Sequence, residues 1–378
     1  MSTLGWSRWS APAAIPALPA TASTSRAAYI DVFRGVLITH MALDHASLMF
    51  NAQRPAEEIA AARPELPSDI LQFLTRFTGV SVAPGFCFIA GFMVALTSSA
   101  REERGVPASD VTRRLVTRGL VLVLVDALIL GLPRAANGFY SFMVLSCIGV
   151  SLMLLAWLRR VSNRWLLPGA LGVLLLHPLL DVSALPVPLQ AVLHEPVRTG
   201  AFRSLYPLIP WSAIAVLGFV VGRDSLTRET PERAWLLWSA ASLLAFFAVR
   251  VGGGYGNAFP HDGLAALDFW QFAKYPPDLA FLSWSFALTF AGLALLRVVT
   301  RAGIPGALRC FAIFGKVPFF FYVVHFYVLG IAAALLRTKF LLPGTYFVWA
   351  CLLLVMAWPC AWYARKKLKR PNLITRYF

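Results

Sequence analysis

Apolar runs of about 20 residues, divided by short polar or Gly- and Pro-bearing connections, recur from residue 28 almost to the end of the chain. At ~1.5 Å rise per residue, such a run crosses the ~30 Å hydrocarbon core of a bilayer as an α-helix. The pattern predicts about ten spans, at 28–50, 70–99, 115–133, 138–158, 165–181, 207–222, 234–251, 279–299, 311–336 and 344–364. The expected fold class is therefore all-α, a polytopic integral membrane protein with its helices around a central cavity. Residues 1–26 read as a disordered tail, 27–366 as the multi-pass membrane domain and 367–378 as a basic tail. The first tail is rich in Ala, Pro, Ser and Thr, and its prolines interrupt the unbroken apolar core that a cleaved signal peptide needs.

Ionisable residues inside the runs are the exceptions that point to function, since each costs roughly 2.5–3.5 kcal/mol at mid-span. The first run holds Asp31, Arg34, His40, Asp44 and His45 among Ile, Val, Leu, Met and Phe. Asp31, Arg34, Ile38, Met41 and His45 follow alternating spacings of three and four, so they share one helix face, while His40 and Asp44 point elsewhere. Arg34 and His45 are then roughly 16 Å apart along the axis. The plainer alternatives are an i,i+3 pair of Asp31 with Arg34 at the interface, and a satisfied polar His45. Asp44 projects about 100° from its neighbour and does not orient the His45 ring, so an orienting carboxylate has to come from another segment.

A second concentration lies in Phe314-Gly-Lys316-Val-Pro-Phe-Phe-Phe-Tyr322-Val-Val-His325. Read as one helix, it places His325 roughly 13 Å beyond Lys316. Two spans thus each carry a cation near one surface and a histidine further across, and they are expected to enclose a polar passage. Arg76, early in the second span, is expected either to snorkel or to meet Asp44, and Pro84 with Gly85 to bend that span. Asp278, after Lys274-Tyr-Pro-Pro, suits a helix cap, as does Ser109 with Asp110 in the first turn. Gly218 and Gly222 read as close helix packing, and the glycines of 252–256 as a loop rather than a phosphate cradle.

Composition excludes a soluble protein: 58% of the 378 residues are hydrophobic and 14% charged, with a mean hydropathy of +0.67. The net charge of +16 does not indicate nucleic acid, because Lys and Arg fall in clusters between apolar runs and form no basic patch on a soluble domain. They read as a topology signal. Arg8 and Arg26, then the clusters in 101–118, 159–164, 223–233, 297–309 and 365–376, alternate with poorer loops, which predicts an inner (plasma) membrane location with both termini cytoplasmic. The longer connections 51–69, 181–206 and 252–278 then lie outside, where a site is expected. The five cysteines have no metal-ligand spacing and read as packing residues, so no metal is expected.

Several stretches together resemble the transmembrane acyltransferases typified by heparan-α-glucosaminide N-acetyltransferase and its bacterial relatives. They are Ile30-Asp-Val-Phe-Arg34-Gly35, Leu43-Asp44-His45, Phe73-Leu-Thr-Arg76-Phe77 with Ala83-Pro84 and Gly91, Lys274-Tyr-Pro-Pro277, and Phe314 through His325. The resemblance implies an enzyme that takes an acyl group, acetyl in the first instance, from cytoplasmic acyl-CoA and delivers it to a sugar hydroxyl or amine on the far side. In the animal enzyme an essential histidine lies in the loop after the first helix. Here 51–69 contains none, and His45 is the nearest replacement.

On this reading Asp31, Arg34 and Lys316 form the cofactor end, with the two cations against the phosphates. His45 acts as general base, with Asp44 and His325 as the other catalytic candidates. Arg76, Lys274 and Tyr322 are the substrate-binding candidates, and His325, Tyr322 or Arg76 would face the developing oxyanion. Transfer is direct, since no Ser or Cys sits in a nucleophile motif. The expected partners are acyl-CoA, a saccharide acceptor and the bilayer, and the sequence is compatible with a homo-oligomer. Two other classes stay open: a transporter or flippase of a lipid or glycan intermediate using buried ions as a proton relay, and an acyl-CoA-binding relative without catalysis.

Overall fold

The computed structural model describes residues 20–369 apart from 61, 62, 68, 198 and 199. The expected tails therefore lie, up to residue 19 and from 370 onward, outside the described residues. The described helices are α1 (Ala20–Phe50), α2 (Ile70–Thr78), α3 (Val82–Glu102), α4 (Ala108–Leu124), α5 (Leu132–Ala135), α6 (Val144–Leu158) and α7 (Asn163–Leu176). They continue with α8 (Val187–Leu193), α9 (Leu208–Thr227), α10 (Pro231–Gly252), α11 (Leu279–Val299), α12 (Arg309–Lys316), α13 (Pro318–Leu336) and α14 (Leu342–Lys369). The strands β1 (Tyr140–Phe142) and β2 (Phe202–Ser204) pair in parallel. The molecule is an all-α membrane protein.

Each expected span contains helix, the one at 138–158 after strand β1, and among the described residues seven helical segments are long and apolar enough to cross a membrane. The others differ for identifiable reasons. α1 is 31 residues long but carries Asp31, Arg34 and Asp44, and α6 and α7 have only 15 and 14 residues.

Two expected spans are broken. The run 311–336 divides at Val317, whose φ −133° and ψ 51° are not helical. Pro318 forces this, because its ring disfavours α geometry at the preceding residue. Lys316 and His325 therefore do not share a straight helix. The run 70–99 divides at 79–81, upstream of Pro84, which sits in the first turn of α3 instead of bending a span. A proline is tolerated there because first-turn N–H groups have no intrahelical acceptor. α4 begins at Ala108 without a side-chain cap, so Ser109 lies inside the first turn, with Asp110 beside it as expected.

In lipid, helices associate by close packing instead of by exclusion from water, which favours small residues at crossings. A Cβ on Gly218 would come within 2.0 Å of the Phe88 carbonyl oxygen, and one on Gly91 within 1.7 Å of that of Ala215, so α3 and α9 are in backbone contact. The α1–α12 crossing is equally tight, with positions 1.8 Å from Phe311 O at Gly35 and 1.7 Å from Asp31 O at Gly315. Cys87, Cys147 and Cys360 are buried among packed helices, whereas Cys310 is exposed.

Two caps position the walls of the interior. Asp278 accepts from Phe281 N at 2.7 Å and starts α11, as expected. Asp126 lies in a π-helical turn, Val125–Ile129, and Oδ2 accepts from Met143 N at 3.0 Å and Ser146 N at 3.2 Å. The widened turn thus aims a buried carboxylate at the start of α6, where it meets the unpaired N–H groups.

Candidate active site

A cavity of about 510 Å³ runs through the helices. Its walls are one face each of α1 (Arg34, Ile38, Met41, His45), α3 (Val82 to Arg101), α4 (Arg114, Leu115, Arg118, Leu122) and α6 (Val144, Ile148, Leu152), with Pro318, Phe319, Tyr322 and Phe326 of α13. The lining on α3 covers 19 helical steps, roughly 28 Å, close to the thickness of a bilayer core. The helical spacing on α1 is the one the sequence gives, except that Asp31 falls outside the lining and Asp44 borders it.

The two ends differ in chemistry. At the Arg34 end, Arg34, Arg101, Arg114 and Arg118 border the cavity, and among the described residues no carboxylate lines it there. Asp31 ion-pairs with Arg34, yet Arg34 Nε is buried without a hydrogen-bond partner. Arg101, Arg114 and Arg118 were visible in the sequence only as topology signals; their shared position appears when α3 and α4 pack beside α1. Lys316, at the end of α12, is exposed and not among the lining residues, although its charge acts on Asp31, the ion-pair partner of Arg34.

At the other end His45 meets His325. Nδ1 of His45 lies 2.8 Å from Nε2 of His325, the rings are near-parallel with centroids 5.1 Å apart, and Phe326 packs 4.4 Å from the His45 ring. His325 is fully buried and its Nδ1 lies 2.9 Å from the Phe321 carbonyl oxygen. Tyr322 stands edge-on to both rings, at 6.4 Å from His45 and 5.7 Å from His325. Two histidines 280 positions apart in sequence are thus one unit.

Asp44 faces an ion network instead of the imidazoles. Arg54 Nη1 donates to its Oδ1 at 3.0 Å and Arg76 Nη1 to the same oxygen at 2.9 Å. Arg76 also holds Glu57 at 2.6 Å and, from Nε, Glu58 at 2.7 Å, and it is not among the residues lining the cavity. Of the two placements expected of Arg76, the structure has the one that meets Asp44. Burial would raise the Glu57 pKa, but Arg76 and then Lys274 hold it at about 2. The alternation of three Asp or Glu with Arg54, Arg76 and Lys274 balances charge, which is how such groups survive burial.

Lys274 lines the cavity beside Tyr275 and Tyr206, whose hydroxyls are 2.9 Å apart. Among the described residues no carboxylate lies within ion-pair distance of Lys274; its ammonium sits 5.1 Å above the Tyr275 ring. Burial pushes the Tyr275 phenol well above its usual range. Tyr206 and Tyr275 were not singled out from sequence, because loop residues carry no periodicity that reports which way they face.

A bundle of apolar helices with an internal cavity, whose lining holds arginines at both ends and His45 beside His325 at one of them, defines a polytopic membrane protein. The chain belongs to the family of the heparan-alpha-glucosaminide N-acetyltransferase catalytic domain, whose model matches residues 26–253. It is therefore a membrane acetyltransferase. The match includes Asp31, Arg34, Asp44, His45 and Arg76 and ends before Lys274, Lys316, Tyr322 and His325. None of the curated proteins matches the chain.

Proposed function

We propose that this protein transfers an acetyl group from acetyl-CoA, bound from the cytoplasmic side, to a saccharide hydroxyl or amine that enters from the opposite face. The observation that carries the reading is the single cavity joining four arginines to His45 across roughly the thickness of a bilayer core. Phosphates suit the Arg34, Arg101, Arg114 and Arg118 end, since guanidinium forks bind them through several donors at once. The apolar middle, with Ile38, Met41, Ile89 and Ile148, suits an extended thiol-bearing arm.

His45 is the general base. It removes the proton from the acceptor as the acceptor's lone pair attacks the thioester carbonyl carbon; the C–S bond breaks and the departing thiolate takes up a proton. Lys274, Tyr206 and Tyr275 border the same end and supply a cation and phenol donors for the developing oxyanion. On this reading the end with Arg34, Arg101, Arg114 and Arg118 faces the cytoplasmic side of an inner membrane, as the positive-inside rule favours, and both termini belong to that side. A flippase reading has no comparable observation in its favour.

The test is His45→Ala in purified protein. Acetyl-CoA binding is retained while acceptor-dependent release of free thiol disappears; turnover near that of the unaltered protein refutes the assignment.

A further inference from the structure

An imidazole acts as a base only through the nitrogen that carries no proton, and that nitrogen is chosen by the hydrogen bond the other one makes. The partners of the two histidines fix this choice. A carbonyl oxygen only accepts, so His325 Nδ1, 2.9 Å from Phe321 O, carries hydrogen. In the neutral ring His325 Nε2 is then a bare acceptor. The hydrogen in the 2.8 Å contact therefore belongs to His45 Nδ1, and His45 Nε2 is left with its lone pair. His45 borders the cavity, and among the described residues nothing is hydrogen-bonded to that nitrogen.

We propose that His325 is the positioning residue for the general base: anchored on the Phe321 carbonyl, it locks His45 in the tautomer whose Nε2 is unprotonated toward the cavity. This rests on His45 being the base. The role is one that a carboxylate often fills, and here none is available. Asp44 is committed to Arg54 and Arg76, and among the described residues no carboxylate lies within hydrogen-bond distance of either ring. When Nε2 accepts the acceptor's proton, the His45 Nδ1 proton can move to His325 Nε2, so one positive charge is shared by two rings and passes back as the thiolate is protonated. Among the described residues, Asp44, Arg54, Glu57, Arg134, Arg203 and Lys274 are the charged groups lining this end, Tyr206 and Tyr275 are the phenols on the loop side, and Tyr322 is the titratable group on the α13 side.

The experiment compares His325→Phe, which keeps a ring of similar size but no acceptor, with His325→Gln, whose amide restores an acceptor for His45 and a donor for Phe321. The expected result for His325→Phe is a kcat lower by about 100-fold, acetyl-CoA KM within about twofold, and a displaced acidic limb of the kcat–pH profile. His325→Gln recovers most of the lost kcat. Unchanged kcat and pH profile in His325→Phe overturn the proposal while leaving His45 as base, and activity in His45→Ala overturns both. Should His325→Phe not fold, His325→Gln decides: kcat within about tenfold of the unaltered protein with a shifted limb supports the lock. An unshifted profile, or inactivity equal to His45→Ala, overturns it.

Discussion

Arg76 of α2 donates to Asp44 of α1 at 2.9 Å, and the same guanidinium binds Glu57 and Glu58 of the intervening loop. One part-buried side chain therefore ties α2, a loop and the helix that carries His45.

Removing that tie leaves three carboxylates short of donors in a part-buried site. Arg76→Ala is expected to cost about 3–5 kcal/mol, seen as a lower thermal midpoint in detergent together with lost activity. A raised acceptor KM at unaltered stability would instead return Arg76 to the substrate.

Acid should loosen the same network. The Glu57 carboxyl is depressed from an ordinary value of 4.5 to about 2, so its contribution is complete above pH 4.5 and fades as pH falls toward 2. Thermal midpoints measured between those values are expected to drop, and Glu57→Gln, already destabilised at neutral pH, to show less of that drop.

Gly315 has the Asp31 carbonyl oxygen 1.7 Å from where a Cβ would stand, whereas Gly330 on α13 has nothing within 4 Å. Gly315→Ala is expected to destabilise by at least about 1–3 kcal/mol. Gly330→Ala should be near neutral, as monitored by size-exclusion behaviour and melting in detergent.

The Arg34 end of the cavity can be probed by affinity. Arg118→Ala is expected to raise the KM for acetyl-CoA about fivefold with little change in kcat, an effect that shrinks in high salt. Lys316→Ala should leave KM within about twofold, being outside the lining. The reverse ranking would move the phosphate end to α12.

By itself the sequence determined the all-α membrane architecture and the face of α1 that lines the cavity, because run length and helical period are local properties of the chain. Arg34, Ile38, Met41 and His45 were legible for that reason, as were the Asp278 cap and the packing glycines Gly218 and Gly222. Tertiary structure decided what faces what. Lys316, at the end of α12, stays outside the chamber lining, while the packing of α3 and α4 brought Arg101, Arg114 and Arg118 into it. The meeting of His45 with His325, and of Asp44 with Arg54 and Arg76, depends on how distant segments dock, for which no periodicity carries a signal.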